Sequence, residues 1–177
     1  MSYQPKKINY NNKPQFYKEL ASDLEGYLES HFITNMAQFS SLVFDQLPVV
    51  NWVGFYLFNP QNQELVLGPF HGKPACTRIA LGRGVCGTSF KNNEALLIKN
   101  VHEFKDHIAC DSESLSEIVI PLIDPQTNFS LGVLDVDSPQ LDRFDQEDLL
   151  GLSLLLNLLL QKSDIESYVS SKIFTCR

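Results

Sequence analysis

Apolar residues in the first part of the chain recur every three to four positions, which is the period of one helix face. This pattern predicts one helix over residues 14–29 and a second over residues 34–47. Pro48 ends the second helix, because the residue before a proline avoids the helical conformation. Residues 1–13 are polar and rich in asparagine, so we expect a flexible N-terminal arm followed by a single domain over residues 14–177.

From residue 49 the pattern changes to short runs of aromatic and β-branched residues, which is typical of strands. The first predicted strand covers residues 49–58, and side chains alternate between its two faces. One face carries Val50, Trp52, Gly54, Tyr56 and Phe58, and the other carries Val53, Phe55 and Leu57. Gly54 lies between two large aromatic residues, so it either leaves a gap for a ligand or admits another core side chain.

The remaining pattern predicts five more strands, a short helix and one long loop. The strands cover residues 64–70, 95–98, 117–123 and 130–137, with a short strand ending at Leu81. A glycine-rich turn over residues 82–87 opens a short helix that runs to about Asn92, and residues 100–114 form the long loop. A leucine-rich helix begins at about Asp145, and its leucines cover more than one stripe, which fits either a deep core position or a homodimer contact. We therefore predict an α+β fold. Its antiparallel sheet carries the N- and C-terminal helices on one face and ligand-covering loops on the other.

Composition limits the class of partner. The net charge is −7 and no large basic cluster occurs, which argues against nucleic acid and anionic membranes. The most apolar segment, residues 149–160, is shorter than the roughly twenty apolar residues that span a bilayer. No secretion signal is visible at the N-terminus. We expect a cytoplasmic protein, with nuclear access open to it, whose four cysteines are free, catalytic or sensing thiols.

Three of these cysteines lie in one stretch of the chain. Cys76, Cys86 and Cys110 are spaced ten and twenty-four residues apart, which is unlike the close Cys pairs of a standard zinc site. A thiol that attacks and a second thiol that resolves it are the requirements of redox chemistry. Cys176 matches no motif and is interpreted as a thiol on the C-terminal tail.

Acidic residues follow the third cysteine closely. Asp135 and Asp137 share one face of a predicted strand that is otherwise apolar, and Glu117 lies on the neighbouring strand. Because like charges in one pocket cannot all stay ionised, at least one of these pKa values should rise. A carboxyl with a raised pKa can donate a proton near neutral pH, while a second carboxylate can bind an ammonium group. The sequence does not divide these two roles among the three acids.

Six phrases of the chain together resemble one family, the free methionine-(R)-sulfoxide reductases, which are single GAF domains. The phrases are Trp52-Val53-Gly54-Phe55-Tyr56, Leu67 to Cys76 (LGPFHGKPAC), Gly84-Val85-Cys86-Gly87, His107-Ile108-Ala109-Cys110-Asp111, Ser116-Glu117-Ile118-Val119 and Gly132 to Asp137 (GVLDVD). All six occur in order, so the resemblance is specific. It implies a GAF fold over residues 14–177 and reduction of the free amino acid to methionine.

The resemblance also implies residue roles. Cys110 is the expected nucleophile, and either Cys76 or Cys86 resolves its sulfenic acid into an intramolecular disulfide. Substrate-lining residues are implied as well; they are Trp52, Tyr56, Glu117, Asp135 and Asp137. Thioredoxin is the implied reductant in this response to oxidative stress, and neither a metal nor a cofactor is expected.

Three other interpretations of the same residues stay open. A GAF domain can sense a small ligand such as a cyclic nucleotide, although an acidic pocket repels phosphate. The cysteines can form a thiol redox switch without substrate turnover. A zinc ion can be held by Cys76, Cys86, Cys110 and a histidine, and metal analysis of the purified protein tests this.

Overall fold

A computed structural model of the chain describes residues 8–104 and 112–170. It contains five α-helices and six strands in these residues, with one 3₁₀ turn at Val101–Glu103. The helices are α1 (Lys13–Glu25), α2 (Phe32–Gln46), α3 (Gly84–Asn92), α4 (Gln146–Lys162) and α5 (Ile165–Ser170). The strands are β1 (Trp52–Asn59), β2 (Glu64–Gly72), β3 (Arg78–Ala80), β4 (Leu96–Ile98), β5 (Ser116–Ile123) and β6 (Ser130–Ser138).

Helix boundaries differ from the sequence prediction where a capping residue intervenes. Helix α1 ends at Glu25, before the predicted boundary at residue 29, because Gly26 caps it and its N–H contacts the carbonyls of Asp23 and Leu24. The apolar period continues past this cap, so periodicity alone extended the helix. Helix α5 was not predicted at all, since six residues are too few to display a helical period.

The six strands form one antiparallel sheet in the order β3-β2-β1-β6-β5-β4. The predicted α+β class and antiparallel sheet are therefore confirmed. Strands β1 and β6 are neighbours at the centre although they are far apart in sequence, and β5 lies on the other side of β6. This order brings residues from three distant parts of the chain next to one another.

Helices α1, α2 and α4 pack on one face of the sheet over the larger hydrophobic core. Val53, Phe55 and Leu57 face this core, as their alternation predicts. Val50 was assigned to the opposite face, and this was wrong: it precedes β1 and packs against the helical side. Leu150 and Leu154 of α4 remain exposed at 63% and 49%. Of the helices in the described part of the chain, none has the length and apolar character needed to cross a bilayer.

The other face of the sheet carries α3 and the β2–β3 connection over a second, smaller core. Trp52, Tyr56 and Phe58 face this side, as predicted. Gly54 does not leave an empty gap: a Cβ on it would lie 2.4 Å from Cβ of Phe70 and 2.5 Å from Cη2 of Trp52. The glycine therefore admits neighbouring aromatic side chains.

Candidate active site

Three carboxyl groups meet on the α3 face of the sheet. In the strand register Asp137 of β6 pairs with Glu117 of β5 on one side and with Trp52 of β1 on the other. Asp135 lies two residues earlier on β6 and therefore faces the same side. One carboxylate oxygen from each of Glu117, Asp135 and Asp137 lies within 4.8 Å of the other two. The predicted convergence of these acids is confirmed.

Burial sets the electrostatics of this cluster. Glu117 and Asp135 are each only 6% exposed, while Asp137 is half-buried. Loss of hydration raises the pKa of Asp135 to about 7. Burial, followed by the charge of Asp135, raises the pKa of Glu117 well above its usual value. The prediction that crowding raises a carboxyl pKa is thus confirmed, with desolvation as the larger cause.

The acidic cluster is suited to a cation. Within residues 8–104 and 112–170, it is the group whose ligand atoms could jointly contact a metal ion. Hard divalent cations take about six or more oxygens, and water can supply those that three carboxylates do not. Oδ2 of Asp135 already accepts a hydrogen bond from Cys86. An alkylammonium, with three N–H donors, also matches three carboxylates.

An aromatic wall stands beside the carboxylates. The ring of Trp52 stacks on Tyr56 at 5.8 Å and on Phe70 at 5.4 Å between centroids. The indole Nε1 of Trp52 donates a hydrogen bond of 3.1 Å to the carbonyl of Lys73, which fixes the start of the β2–β3 connection. Sequence reasoning missed Phe70, although it pairs with Gly54 in the register, where a glycine makes room for a cross-strand aromatic ring.

The cysteines occupy different environments. Cys76 lies half-buried on the β2–β3 connection and is disulfide-bonded. Cys86 is a free thiol, 5% exposed, so it is not the partner of Cys76. Cys110, the predicted nucleophile, and Cys176 both lie outside the described residues. A disulfide-bonded Cys76 has no thiolate to offer a zinc ion.

Helix α3 places Cys86 at the acidic cluster. A Cβ on Gly87 would lie 2.4 Å from the carbonyl oxygen of Ala80, so only glycine allows α3 to start so close to the end of β3. In this position the Cys86 thiol donates a hydrogen bond of 3.2 Å to Oδ2 of Asp135. Burial, then the charges of Asp135 and Glu117, raise the pKa of the thiol. Sequence reasoning did not predict this contact.

An ion pair joins the two chain segments that flank the predicted redox cysteines. Nζ of Lys73, three residues before Cys76, lies 2.6 Å from Oε2 of Glu113, three residues after Cys110. Both charged side chains are more than half exposed. The β2–β3 connection and the start of β5 are therefore adjacent in space.

Comparisons with known proteins agree with this architecture. The GAF domain family model matches residues 36–160, which include the whole acidic cluster. The chain is 44% identical over 165 residues to the free methionine-R-sulfoxide reductase of Escherichia coli (strain K12), covering 90% of this chain and 98% of that protein. The enzyme of the same name from Saccharomyces cerevisiae is 36% identical over 162 residues, covering 86% of this chain and 89% of that protein.

A solved structure is similar over nearly the whole chain. It is the X-ray structure of free methionine-R-sulfoxide reductase from Neisseria meningitidis in complex with its substrate. The two folds agree with a TM-score of 0.78 at 34% sequence identity, covering 92% of this chain and 94% of that one. The similarity therefore extends over nearly the whole fold.

Proposed function

This chain belongs to the free methionine-R-sulfoxide reductase family of GAF-domain enzymes, and we propose that it reduces free L-methionine (R)-S-oxide to L-methionine. The observation that carries the proposal is the convergence of three carboxyls within 4.8 Å beside an aromatic wall. Free methionine sulfoxide presents an ammonium, a polar sulfoxide oxygen and an apolar methyl group. The site offers matching chemistry for each of them.

The acidic cluster serves two needs of this substrate. Ionised carboxylates accept charge-assisted hydrogen bonds from the ammonium, and these are the stronger class of hydrogen bond. A protonated carboxyl donates to the sulfoxide oxygen, and the raised pKa of Glu117 suits it to hold that proton near neutral pH. Trp52 and Tyr56 form the apolar surface for the methyl group.

The chemistry balances in two steps. The thiolate of Cys110 attacks the sulfoxide sulfur, the oxygen passes to the sulfur of Cys110 as a sulfenic acid, and methionine leaves. A second thiol then attacks the sulfenic acid, forms a disulfide and releases the oxygen as water. We assign this second thiol to Cys76, because Cys76 is disulfide-bonded and Cys86 is a buried free thiol.

Renewed turnover requires a dithiol reductant, and thioredoxin in the cytoplasm is the one we propose. Cys76 lies on a connecting segment whose neighbours Lys73 and Thr77 are exposed, so a protein thiol can approach it. Thiol–disulfide exchange depends on such access. Cys86, at 5% exposure, is shielded from a protein reductant.

The experiment is NADPH consumption with thioredoxin, thioredoxin reductase and resolved epimers of free methionine sulfoxide. We expect turnover of the R epimer and none after Cys110→Ser, because a hydroxyl cannot form the sulfenic acid or the disulfide. A sensor or a redox switch predicts no sustained NADPH consumption. Peptide mapping of the oxidised enzyme is expected to recover a Cys76–Cys110 link, and recovery of a link through Cys86 contradicts the assignment.

Substrate size gives a second arm of the same experiment. N-acetyl-methionine sulfoxide lacks the ammonium, so the buried carboxylates lose their charge-assisted partner, at a cost of about 1–3 kcal/mol for each unsatisfied group. We expect kcat/KM to fall by at least tenfold relative to the free amino acid. Equal values for the two substrates contradict the role given to the acidic cluster.

A further inference from the structure

We propose that Cys86 is a positioning residue: its thiol orients the carboxylate of Asp135 and leaves that carboxylate's second oxygen and its charge available to the substrate ammonium. The inference deepens the proposed function and rests on it for the identity of the cation. The inference gives Cys86 a role other than redox chemistry. Three observations on Asp135 and Cys86 carry it.

The first observation is how the two oxygens of Asp135 are used. Oδ2 accepts the hydrogen bond from Sγ of Cys86 at 3.2 Å. Oδ1 is buried and has no hydrogen-bond partner among the described residues. A buried acceptor without a partner costs free energy, so native structures rarely keep one without a reason. A bound ammonium supplies the missing donor.

The second observation is the type of donor at Cys86. A lysine or arginine here would form an ion pair with Asp135 and compete with an incoming ammonium. A thiol donates a hydrogen bond without bringing a positive charge. The negative charge of Asp135 is therefore held in place and not cancelled.

The third observation is the state of Cys86 itself. The thiol is 5% exposed and free, within an apolar cluster that includes Val85, Val119 and Val133. Burial and the neighbouring acids raise its pKa, which keeps it a protonated donor and a poor nucleophile. These conditions suit a hydrogen-bond donor and disfavour a resolving thiol.

The consequence for Asp135 has a definite sign. The hydrogen bond from Cys86 lowers the pKa of Asp135 and opposes the effect of burial. The other titratable groups near this carboxyl in the described residues are Glu117 on β5, Asp137 on its own strand and Tyr56 on β1. None of these is a cation. Removing the thiol therefore raises the pH at which Asp135 ionises and weakens ammonium binding below that pH.

The test compares Cys86→Ala, which loses the donor, with Cys86→Ser, which keeps one. KM for free methionine (R)-sulfoxide is measured across pH about 5 to 9, together with kcat. We expect the alanine variant to raise KM near neutral pH on the order of tenfold, and to move its pH dependence upward. The serine variant is expected to restore the wild-type pH dependence. Thermal melts of both variants verify folding.

A readout independent of turnover separates this inference from the proposed function. The carboxyl ¹³C resonance of Asp135, assigned with Asp135→Asn, is titrated in wild type and both variants. An upward shift in alanine but not in serine supports the inference even if free methionine sulfoxide is not reduced. Identical titrations in all three proteins overturn it, as does a disulfide through Cys86 in enzyme trapped after a single turnover.

Discussion

Two buried aspartates on opposite faces of the sheet differ in how their charges are satisfied. Asp148 of α4, fully buried under the helices, accepts hydrogen bonds from Tyr10 at 2.5 Å and Tyr17 at 2.8 Å through Oδ1. Its Oδ2 lies 2.7 Å from Nζ of Lys13 and 3.3 Å from Arg143. Both oxygens are fully occupied by groups of the protein, two of them cationic.

Asp135, on the α3 face, is also buried, at 6% exposure, but its hydrogen-bonding capacity is incompletely satisfied. Oδ2 of Asp135 accepts a hydrogen bond from the neutral thiol of Cys86. Oδ1 has no hydrogen-bond partner among the described residues. Buried charges are normally paired, so a buried carboxylate that the fold leaves open indicates a place for an external cation. The comparison teaches that burial of an acid is not enough to identify a site; the source of its counter-charge must also be known.

The largest expected effect concerns Glu117 and Asp137, the two acids that share the cluster with Asp135. Glu117→Gln and Asp137→Asn keep the shape of the carboxyl but lose its proton and charge, so each should lower the turnover rate by about 10²–10⁴-fold. Steady-state kinetics with circular dichroism measures this, and Glu94→Gln, an exposed acid before β4, is the matched control. If KM rises at an unchanged kcat, the residue binds the ammonium and is not the proton donor. A variant with about half of wild-type activity or more removes its residue from the acid role.

The next effect tests Asp148 as a structural charge. Asp148→Asn removes the counter-charge of Lys13 and Arg143 beneath the helices, and breaking a buried pair costs about 3–5 kcal/mol. Urea denaturation measures the free energy of unfolding, with the exposed Glu147→Gln on the same helical turn as control. KM for the substrate should stay at its wild-type value because Asp148 lies on the other face. A stability loss equal to that of the control contradicts the structural role.

Asp148→Asn should lower the free energy of unfolding, whereas Asp135→Asn should raise it relative to wild type as the pH increases. The pKa of Asp135 is raised from 3.8 to about 7, so its stabilising contribution is present below pH 4 and is lost as pH rises through 7. The asparagine variant does not titrate, so its free energy of unfolding relative to wild type should increase between these pH values. Denaturant melts at a series of pH values test this. A difference that stays constant over the range places the pKa of Asp135 near its unfolded value.

The smallest effect concerns a carboxylate that is neither buried nor catalytic. Glu113 pairs with Lys73 at 2.6 Å, but both side chains are more than half exposed. Exposed ion pairs contribute about 0–1 kcal/mol and are screened by salt. Lys73→Ala should therefore change the free energy of unfolding by less than about 1 kcal/mol, and less still at high salt. A larger loss means that this pair holds the two segments together.

Sequence patterns determined a large part of the fold and of the candidate site. Strand alternation placed Trp52 and Tyr56 on the side opposite Phe55, because successive side chains of a strand point to opposite faces of the sheet. The spacing of Asp135 and Asp137 put both on one face for the same reason. These are local properties, fixed by the geometry of successive residues.

Only the tertiary structure decided which distant residues meet. The order β1-β6-β5 brought Trp52, Asp137 and Glu117 side by side, and the close start of α3 brought Cys86 to Asp135. The sequence does not show that Asp148 pairs with Lys13 and Arg143, or that Oδ1 of Asp135 lacks a partner among the described residues. Their difference arises from which groups the fold packs against them, and it is set by pairing and desolvation between elements that no local pattern encodes.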